Sequence, residues 1–279
     1  MSIDIALYQQ WIGKTEQVTD ILNPYPANAL AATLDLPMRF ELQQPLPKLW
    51  HWLYFLNLVP SKQLGIDGHI ARGGFLPPIS LPRRMWAGGR LTFDQPMRIG
   101  DQICRHSEIA AVNHKAGKTG DLIFVTLKHT YLRGDDALLT EEQELVYREA
   151  VSANSAPTLA VPDSVHARTI IPDPVMLFRY SALTFNSHRI HFDRTYATNV
   201  EGYPGLVVHG PLIATLLMQL ISSHEPHADI KSFSFRAVRP LFDISPFKVY
   251  LKTEQSHYQL WAADELGALA MTASAETRK

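Results

Sequence analysis

The sequence predicts an α+β protein made of two similarly ordered units, each an antiparallel sheet with one helix against it. Three observations carry this expectation. An apolar helical segment occurs once in each half, at Pro26–Leu34 and Pro211–Ser222. Strand-like runs follow each helix. Between them lies Val151–Pro174, rich in Ser, Ala and Pro and without periodicity, which reads as a linker. Residues 1–150 are therefore expected to form the first unit, 151–174 the linker and 175–279 the second unit, which carries the chemistry.

In the first unit the helix PANALAATL precedes an irregular section, Gly65–Gly89, full of Gly and Pro. Strands are expected at Arg90–Phe93, Gln102–Val112, Leu122–Leu132 and Leu138–Tyr147. The segment NHKAGKTGD between the second and third of these carries Gly117 and Gly120, which suit a hairpin turn. In the second unit strands are expected at Ser232–Val238, Phe247–Thr253, Tyr258–Ala263 and Ala268–Ala273. Alternation is clear where Phe233, Phe235 and Ala237 share one face and Phe247, Val249 and Leu251 another. The repeat is one of element order, since the residues themselves are dissimilar.

The 279 residues are 46% hydrophobic and 19% charged, with a formal net charge of -1. That balance disfavours nucleic acid or an anionic membrane as partner, since both select basic surfaces. The longest apolar run, Leu212–Ile221, is well short of the ~20 residues of a membrane helix, and the N-terminal residues lack a signal-peptide pattern. A cytoplasmic protein is expected. One cysteine, Cys104, excludes an internal disulfide and a thiolate-rich zinc site.

Two adjoining stretches carry the chemistry: LTFNSHRIHFD, Leu183–Asp193, and EGYPGLVVHGPL, Glu201–Leu212. Pro211 suits the first turn of a helix, because its ring pre-sets φ and its missing N–H would have no partner there. The residues that follow are apolar on nearly every face, so that helix is buried. A buried helix start leaves N–H groups aimed into the protein, and Gly210 has no side chain to obstruct a ligand. A carbonyl that gains negative charge would be stabilised there by the helix dipole and the Gly210 amide. A plain Gly-Pro turn with His209 packed beside it explains the same residues. His188 and His191 lie three apart, close to Asn186, Arg189 and Asp193, and imidazole is the natural acid/base group near neutral pH. Two histidines and a carboxylate also suit a metal, but no third ligand stands out, so no metal site is expected.

These stretches resemble the hydratase-2/MaoC-like acyl dehydratases, whose motif runs Asp-x-Asn-Pro-aliphatic-His before a central helix. The resemblance is nearest to the branch holding the itaconyl-CoA and mesaconyl-C4-CoA hydratases and the type 2 hydroxyacyl-thioester dehydratases. In the first half KLWHWLYFL, LGIDGHIARGGFLPP and PRRMWAGGRL are similar to that branch. The resemblance implies a double hot-dog fold, with two antiparallel sheets joined as one continuous sheet around central helices. It implies that His191 is the catalytic histidine and Gly210 the oxyanion glycine. The motif's catalytic Asp falls on Asn186, its Asn on His188 and its Pro on Arg189. An amide is no carboxylate base, so the usual Asp/His pair does not carry over intact.

The implied reaction is reversible addition of water to an α,β-unsaturated acyl-CoA, which needs no cofactor because CoA is part of the substrate. His191 is expected to transfer the proton, Asn186 to orient water and Gly210 to hold the enolate oxygen. Candidate helpers are Asp67, Asp193, Glu201, His188 and His209. Arg236 and Arg239 are the candidates for the CoA phosphates, since guanidinium forks onto phosphate oxygens, although a charged strand edge is an equal reading. Should the acyl group carry a second carboxylate, Arg72, Arg84 and Arg179 are candidates to meet it. Trp50, Trp52, Tyr54 and Phe55 suit either an acyl tunnel or the core. Itaconyl-CoA, taken to citramalyl-CoA in itaconate degradation, is the leading substrate expectation, followed by mesaconyl-C4-CoA and straight-chain enoyl thioesters. An acyl-CoA thioesterase and a non-catalytic acyl-CoA-binding module are the rival readings, and a homodimer is a candidate assembly.

Overall fold

The computed structural model describes residues 3–117, 120–149, 158–159 and 166–278. A short helix α1 (Ile5–Gln9) and strand β1 (Thr15–Ile21) lead into helix α2 (Pro24–Thr33). Strands β2 (Arg83–Phe93), β3 (Gln102–Gly117), β4 (Gly120–Arg133) and β5 (Asp136–Arg148) complete the first half. The second half repeats the order. Strand β6 (His166–Ile170) precedes helices α3 (Pro174–Leu183), α4 (Arg194–Asn199) and α5 (Gly210–His224), then β7 (Ile230–Ala237), β8 (Phe247–Glu254), β9 (His257–Asp264) and β10 (Leu269–Thr277).

The strands form one sheet in the order β1-β3-β4-β5-β2-β7-β10-β9-β8-β6. The halves meet where β2 pairs antiparallel with β7, from Gly88 opposite Arg236 to Thr92 opposite Ser232. Each half thus contributes five strands in the same relative order, and the joined sheet expected from the sequence is present. Helix α5 lies against β8, β9 and β10. It is buried from Leu212 through Ile221 on nearly all sides, as its composition requires. Each fully buried Leu or Ile there stabilises the fold by about 1.5–3 kcal/mol. No helix among the described residues is long and apolar enough to cross a membrane.

Helices α2 and α3 are the true counterparts in the two halves. Each starts with an Asn or Asp cap followed by proline: Asn23 Oδ1 accepts from Tyr25 N, and Asp173 Oδ1 accepts from Val175 N and Met176 N. Pairing Pro26–Leu34 with Pro211–Ser222 is therefore corrected. Between α3 and β7 the second half holds the long helix α5. Between α2 and β2 the first half holds only two 3-10 turns, Trp50–Leu53 and Ser61–Gln63. The first half consequently surrounds a cavity where the second surrounds a helix.

Other boundaries also shift. Strand β2 begins inside the section expected to be irregular, and β1 and α3 were not expected. The expected linker, 151–174, falls largely outside the described residues. Residues 150–157 and 160–165 lie outside the described residues, but β6 and the start of α3 fall within 151–174. The expected hairpin joins Gly117 to Gly120, which pair directly across β3 and β4.

Candidate active site

The two halves share a cavity of about 500 Å³. The second half contributes Asn186, His188, His191, His209 and Gly210 to its wall, and the first contributes His69, Arg84 and Tyr147.

His191 is buried in a 3-10 turn, Arg189–His191, and its Nδ1 lies 2.7 Å from the carbonyl oxygen of Val207. A carbonyl only accepts, so Nδ1 carries the proton and Nε2 keeps its lone pair. Val207 N donates to Ile190 O at 2.9 Å. Val207 thereby ties the histidine turn to the chain entering His209-Gly210. Burial lowers the His191 pKa to about 4, against the upward pull of the Val207 bond, with nearby His69 lowering it further. At neutral pH His191 is an uncharged base.

Helix α5 begins at Gly210 with His209 as its cap residue, and the His209 side chain makes no capping bond. Its Nε2 instead pairs with Ser181 Oγ at 2.8 Å, while its buried Nδ1 has no partner among the described residues. The Gly210 N–H therefore lies beyond the reach of the helix's own ladder and of any side-chain cap. A Cβ built on Gly210 would meet nothing within 4 Å. The protein leaves the space beside this amide open.

Asn186 lines the cavity, but its Oδ1 is occupied by the backbone N–H of His188 at 3.0 Å. Its NH2 group is left without a protein partner among the described residues. Among the candidate helpers, Asp193 caps α4 through Tyr196 N at 3.0 Å and pairs with Arg189 at 2.8 Å. Glu201 pairs with Arg83 at 3.4 Å and accepts from Tyr196 at 3.3 Å. Both carboxylates serve local structure. Asp67 differs: its Oδ2 lies 3.0 Å from His69 Nδ1, and its Oδ1 accepts from His69 N at 3.0 Å. His69 itself lines the cavity, and its ring lies 3.8 Å from that of His188.

The Asp67-Gly68-His69 segment is fastened to the motif. Arg189 N donates to Asp67 O at 2.9 Å, and Ser187 Oγ donates to Gly68 O at 2.6 Å. Four imidazoles then follow one another across the site. His69 faces His188, His188 meets His191 at 5.4 Å edge to face, and His191 stacks on His209 at 3.8 Å. Burial lowers the pKa of all four, that of His188 to about 2. Sequence reading missed His69, although it stands in the quoted segment LGIDGHI beside Asp67.

The sequence also offered no third metal ligand beside His188 and His191. The structure gathers a different trio, Asp67, His69 and His188, with ligand atoms within 4.8 Å of one another. In that trio Asp67 already accepts two hydrogen bonds from His69.

The arginine pair expected to hold CoA is separated. Arg239 reaches the cavity wall, whereas Arg236 is exposed on the opposite face of β7 from inward-facing Phe235 and Ala237. Arg179 is exposed on α3 and outside the cavity. Trp52, Tyr54 and Phe55 line the cavity, while Trp50 packs in the core 5.3 Å from Phe40.

Deeper in the first half the wall is polar. Glu141 is almost wholly buried and accepts hydrogen bonds at 3.0 Å from His51 Nε2, Trp52 Nε1 and Tyr131 Oη. Burial alone would raise its pKa, yet these donors and the nearby His129 hold it down to about 2. His129 pairs with Ser107 at 2.8 Å and Gln143 at 3.2 Å. Glu141 is thus an ionised carboxylate with satisfied partners, set in a wall that also carries Phe55, Leu127 and Leu145.

The family described as hydroxyacyl-thioester dehydratase type 2 matches residues 49–243. The chain is 47% identical over 275 residues to a mesaconyl-C(4)-CoA hydratase of Chloroflexus aurantiacus, covering 97% of this chain and 98% of the relative. A MaoC-like dehydratase of Phytophthora capsici has the same fold, with a TM-score of 0.69 at 14% identity and 99% of each chain covered. A Mycobacterium tuberculosis protein described as a double hotdog fold superposes with a TM-score of 0.54 at 12% identity, over 96% of each chain. The ten-stranded sheet, the single long buried helix and these likenesses agree: the chain belongs to the type 2 hydroxyacyl-thioester dehydratase family, MaoC-like hydro-lyases on a double hot-dog fold.

Proposed function

We propose that this protein hydrates a short enoyl-CoA bearing a carboxylate on its acyl group, with mesaconyl-C4-CoA as the foremost substrate. The likeness over nearly the whole chain to the Chloroflexus hydratase carries this reading.

The proposed chemistry also ranks the isomers. In mesaconyl-C4-CoA the double bond is conjugated with the thioester, so attack at Cβ pushes electrons directly onto the carbonyl oxygen. In itaconyl-CoA the double bond lies one carbon further out, and a proton must shift before that route opens. Both lead to citramalyl-CoA.

In the forward step a water oxygen bonds to Cβ while His191 Nε2 takes one of its protons. The π electrons move to the thioester oxygen, where the Gly210 N–H at the positive end of α5 stabilises the enolate. The imidazolium then returns its proton to Cα, restoring neutral His191. His69, with Nδ1–H held by Asp67, has Nε2 left to accept the water's second hydrogen. It thereby stands in for the carboxylate that Asn186 lacks. Arg239 at the cavity wall is the remaining cation for CoA. Every step uses side chains and substrate, with no further cofactor.

The test is a panel of mesaconyl-C4-CoA, itaconyl-CoA, crotonyl-CoA and saturated acyl-CoAs, followed by mass and by free thiol. A gain of one water on mesaconyl-C4-CoA without thiol release is expected. Thiol release without hydration would assign a thioesterase instead, and binding without turnover a carrier.

A further inference from the structure

We propose that Arg84 and Tyr147 form a carboxylate-binding subsite that takes the acyl-borne carboxylate of the substrate and so sets specificity. The inference rests on the substrate reading above and goes beyond it by naming the residues.

The two residues are direct cross-strand partners, Arg84 on β2 opposite Tyr147 on β5. Side chains of opposed residues share a face of the sheet, and both of these line the cavity. Tyr147 is completely buried, and its hydroxyl proton has no acceptor among the described residues, since the Arg84 guanidinium beside it can only donate. Buried hydroxyl protons without acceptors are uncommon, and one on a cavity wall is an unused donor. The Arg84 guanidinium is half-buried and has no carboxylate partner among the described residues. Its charge reaches Tyr147, His69 and His188, the neighbours whose protonation it influences. The site thus holds an uncompensated cation and an unused hydroxyl donor side by side, the complement of a carboxylate.

The other arginines do not offer this. Arg72 is committed to the carbonyls of Ile79 and Pro82, and its guanidinium carbon lies 6.0 Å from the centroid of the Tyr147 ring. Arg105, further into the first half, pairs with Glu16 at 3.5 Å. Arg179 is outside the cavity.

The location also suits the chemistry. In mesaconyl-C4-CoA the free carboxylate is attached to Cβ, one carbon–carbon bond of about 1.5 Å from the atom that water attacks. Its anchor must therefore lie beside the proton-transfer histidines. Arg84 does: its charge is felt at His69 and His188, and the His188 ring is 5.4 Å from that of His191. An anchor here would also orient Cβ toward the attacking water.

Steady-state kinetics on wild type, Arg84→Gln, Arg84→Lys and Tyr147→Phe, each with mesaconyl-C4-CoA and crotonyl-CoA, test this. Crotonyl-CoA keeps the conjugated thioester and the Cβ methyl but lacks the carboxylate. Arg84→Gln is expected to lower kcat/KM for mesaconyl-C4-CoA by about 100-fold or more, and for crotonyl-CoA by less than a tenth of that factor. Arg84→Lys should fall between. Tyr147→Phe removes a buried hydroxyl whose proton has no acceptor, so its Tm should hold or rise while KM for mesaconyl-C4-CoA increases several-fold. Equal losses on both substrates, or none, would overturn the subsite alone. Should Arg84→Gln fail to fold, Tyr147→Phe decides by the same comparison. Wild type that hydrates crotonyl-CoA but no carboxylate-bearing enoyl-CoA would overturn the substrate reading, and the subsite with it, before any variant is made.

Discussion

The imidazole of His191 lies face to face with that of His209, ring centroids 3.8 Å apart and planes 17° from parallel. Two stacked imidazolium ions at that separation would repel strongly in a buried site. The start of α5 beside them carries partial positive charge and opposes protonation too. The pair is thus kept neutral, which leaves His191 Nε2 a lone pair for the base role proposed for it.

Replacement of His191 by Gln should lower kcat by about 10²–10⁴-fold, the usual contribution of a general acid/base group. Gln keeps an amide donor for the Val207 carbonyl, so the turn that holds the motif should survive. Enoyl absorbance measures the rate, and Tm measures the fold. Near-wild-type turnover with unchanged Tm would remove His191 from the mechanism.

The pH profile follows from the same burial. The base works when neutral, and its pKa is held at about 4. kcat/KM should therefore stay level from pH 8 down to about 5 and fall only near 4. Asn186→Asp keeps the acceptor for His188 N and adds a negative charge facing the histidines. A nearby anion favours imidazolium, so the acid limb should move upward by about one unit or more. An unshifted limb would mean that the 186 side chain does not sense the base.

Stability should respond to acid over a higher window. His188, His191 and His209 have folded pKa values below the ordinary value near 6.5. Between that value and about 4 the unfolded chain binds protons that the folded chain refuses. Stability is therefore full above pH 6.5 and lost progressively as pH falls. Tm should drop by several degrees from pH 7 to pH 5, while turnover at 25 °C over the same range stays nearly constant. A Tm independent of pH in this window would contradict the buried neutral histidines.

Gly210→Ala separates space from packing. Apart from its chain neighbours and its own helix, no protein atom lies within 4 Å of the added methyl, and alanine is a good residue for a helical first turn. Tm should hold or rise slightly. The methyl would project into the space kept for the thioester, so kcat/KM should fall by tenfold or more. Unchanged activity would place the thioester away from the Gly210 amide.

The buried helix and the histidine motif were legible in the sequence because each is local. A run apolar on every face must be interior, and the glycine and proline at its start mark where its free amides point. The pairing of Asp67 and Gly68 with Arg189 and Ser187 joins segments more than a hundred residues apart, and no local pattern announces it. Glu141 stands in the run Glu141-Glu142-Gln143-Glu144 of the expected strand Leu138–Tyr147, where composition does not tell which carboxylate is buried. Strand alternation turns Glu141 inward to three donors and leaves Glu142 to pair with exposed Arg90. Arg236 and Arg239 look like one cluster, but β7 ends at Ala237, so the chain changes direction between them. Strand β6 was hidden inside a stretch whose Pro and Ala content suggested a linker.

Gly68 is the position where the first half's loop closes onto the segment that carries Asn186, His188 and His191. Its φ is +85°, a conformation L side chains rarely adopt. A Cβ there would lie 1.8 Å from Ser187 O, inside the backbone that carries Asn186 and His188. Relief would require the loop to withdraw, breaking the bond from Ser187 Oγ to Gly68 O and that from Arg189 N to Asp67 O. Gly68→Ala should therefore cost more than the ~1 kcal/mol of an ordinary glycine substitution and carry His69 away from the cavity. The expected signature is a lowered Tm together with a loss of turnover larger than the fraction unfolded explains. Wild-type kinetics in a folded Gly68→Ala variant would show that the His69 loop is not part of the catalytic assembly.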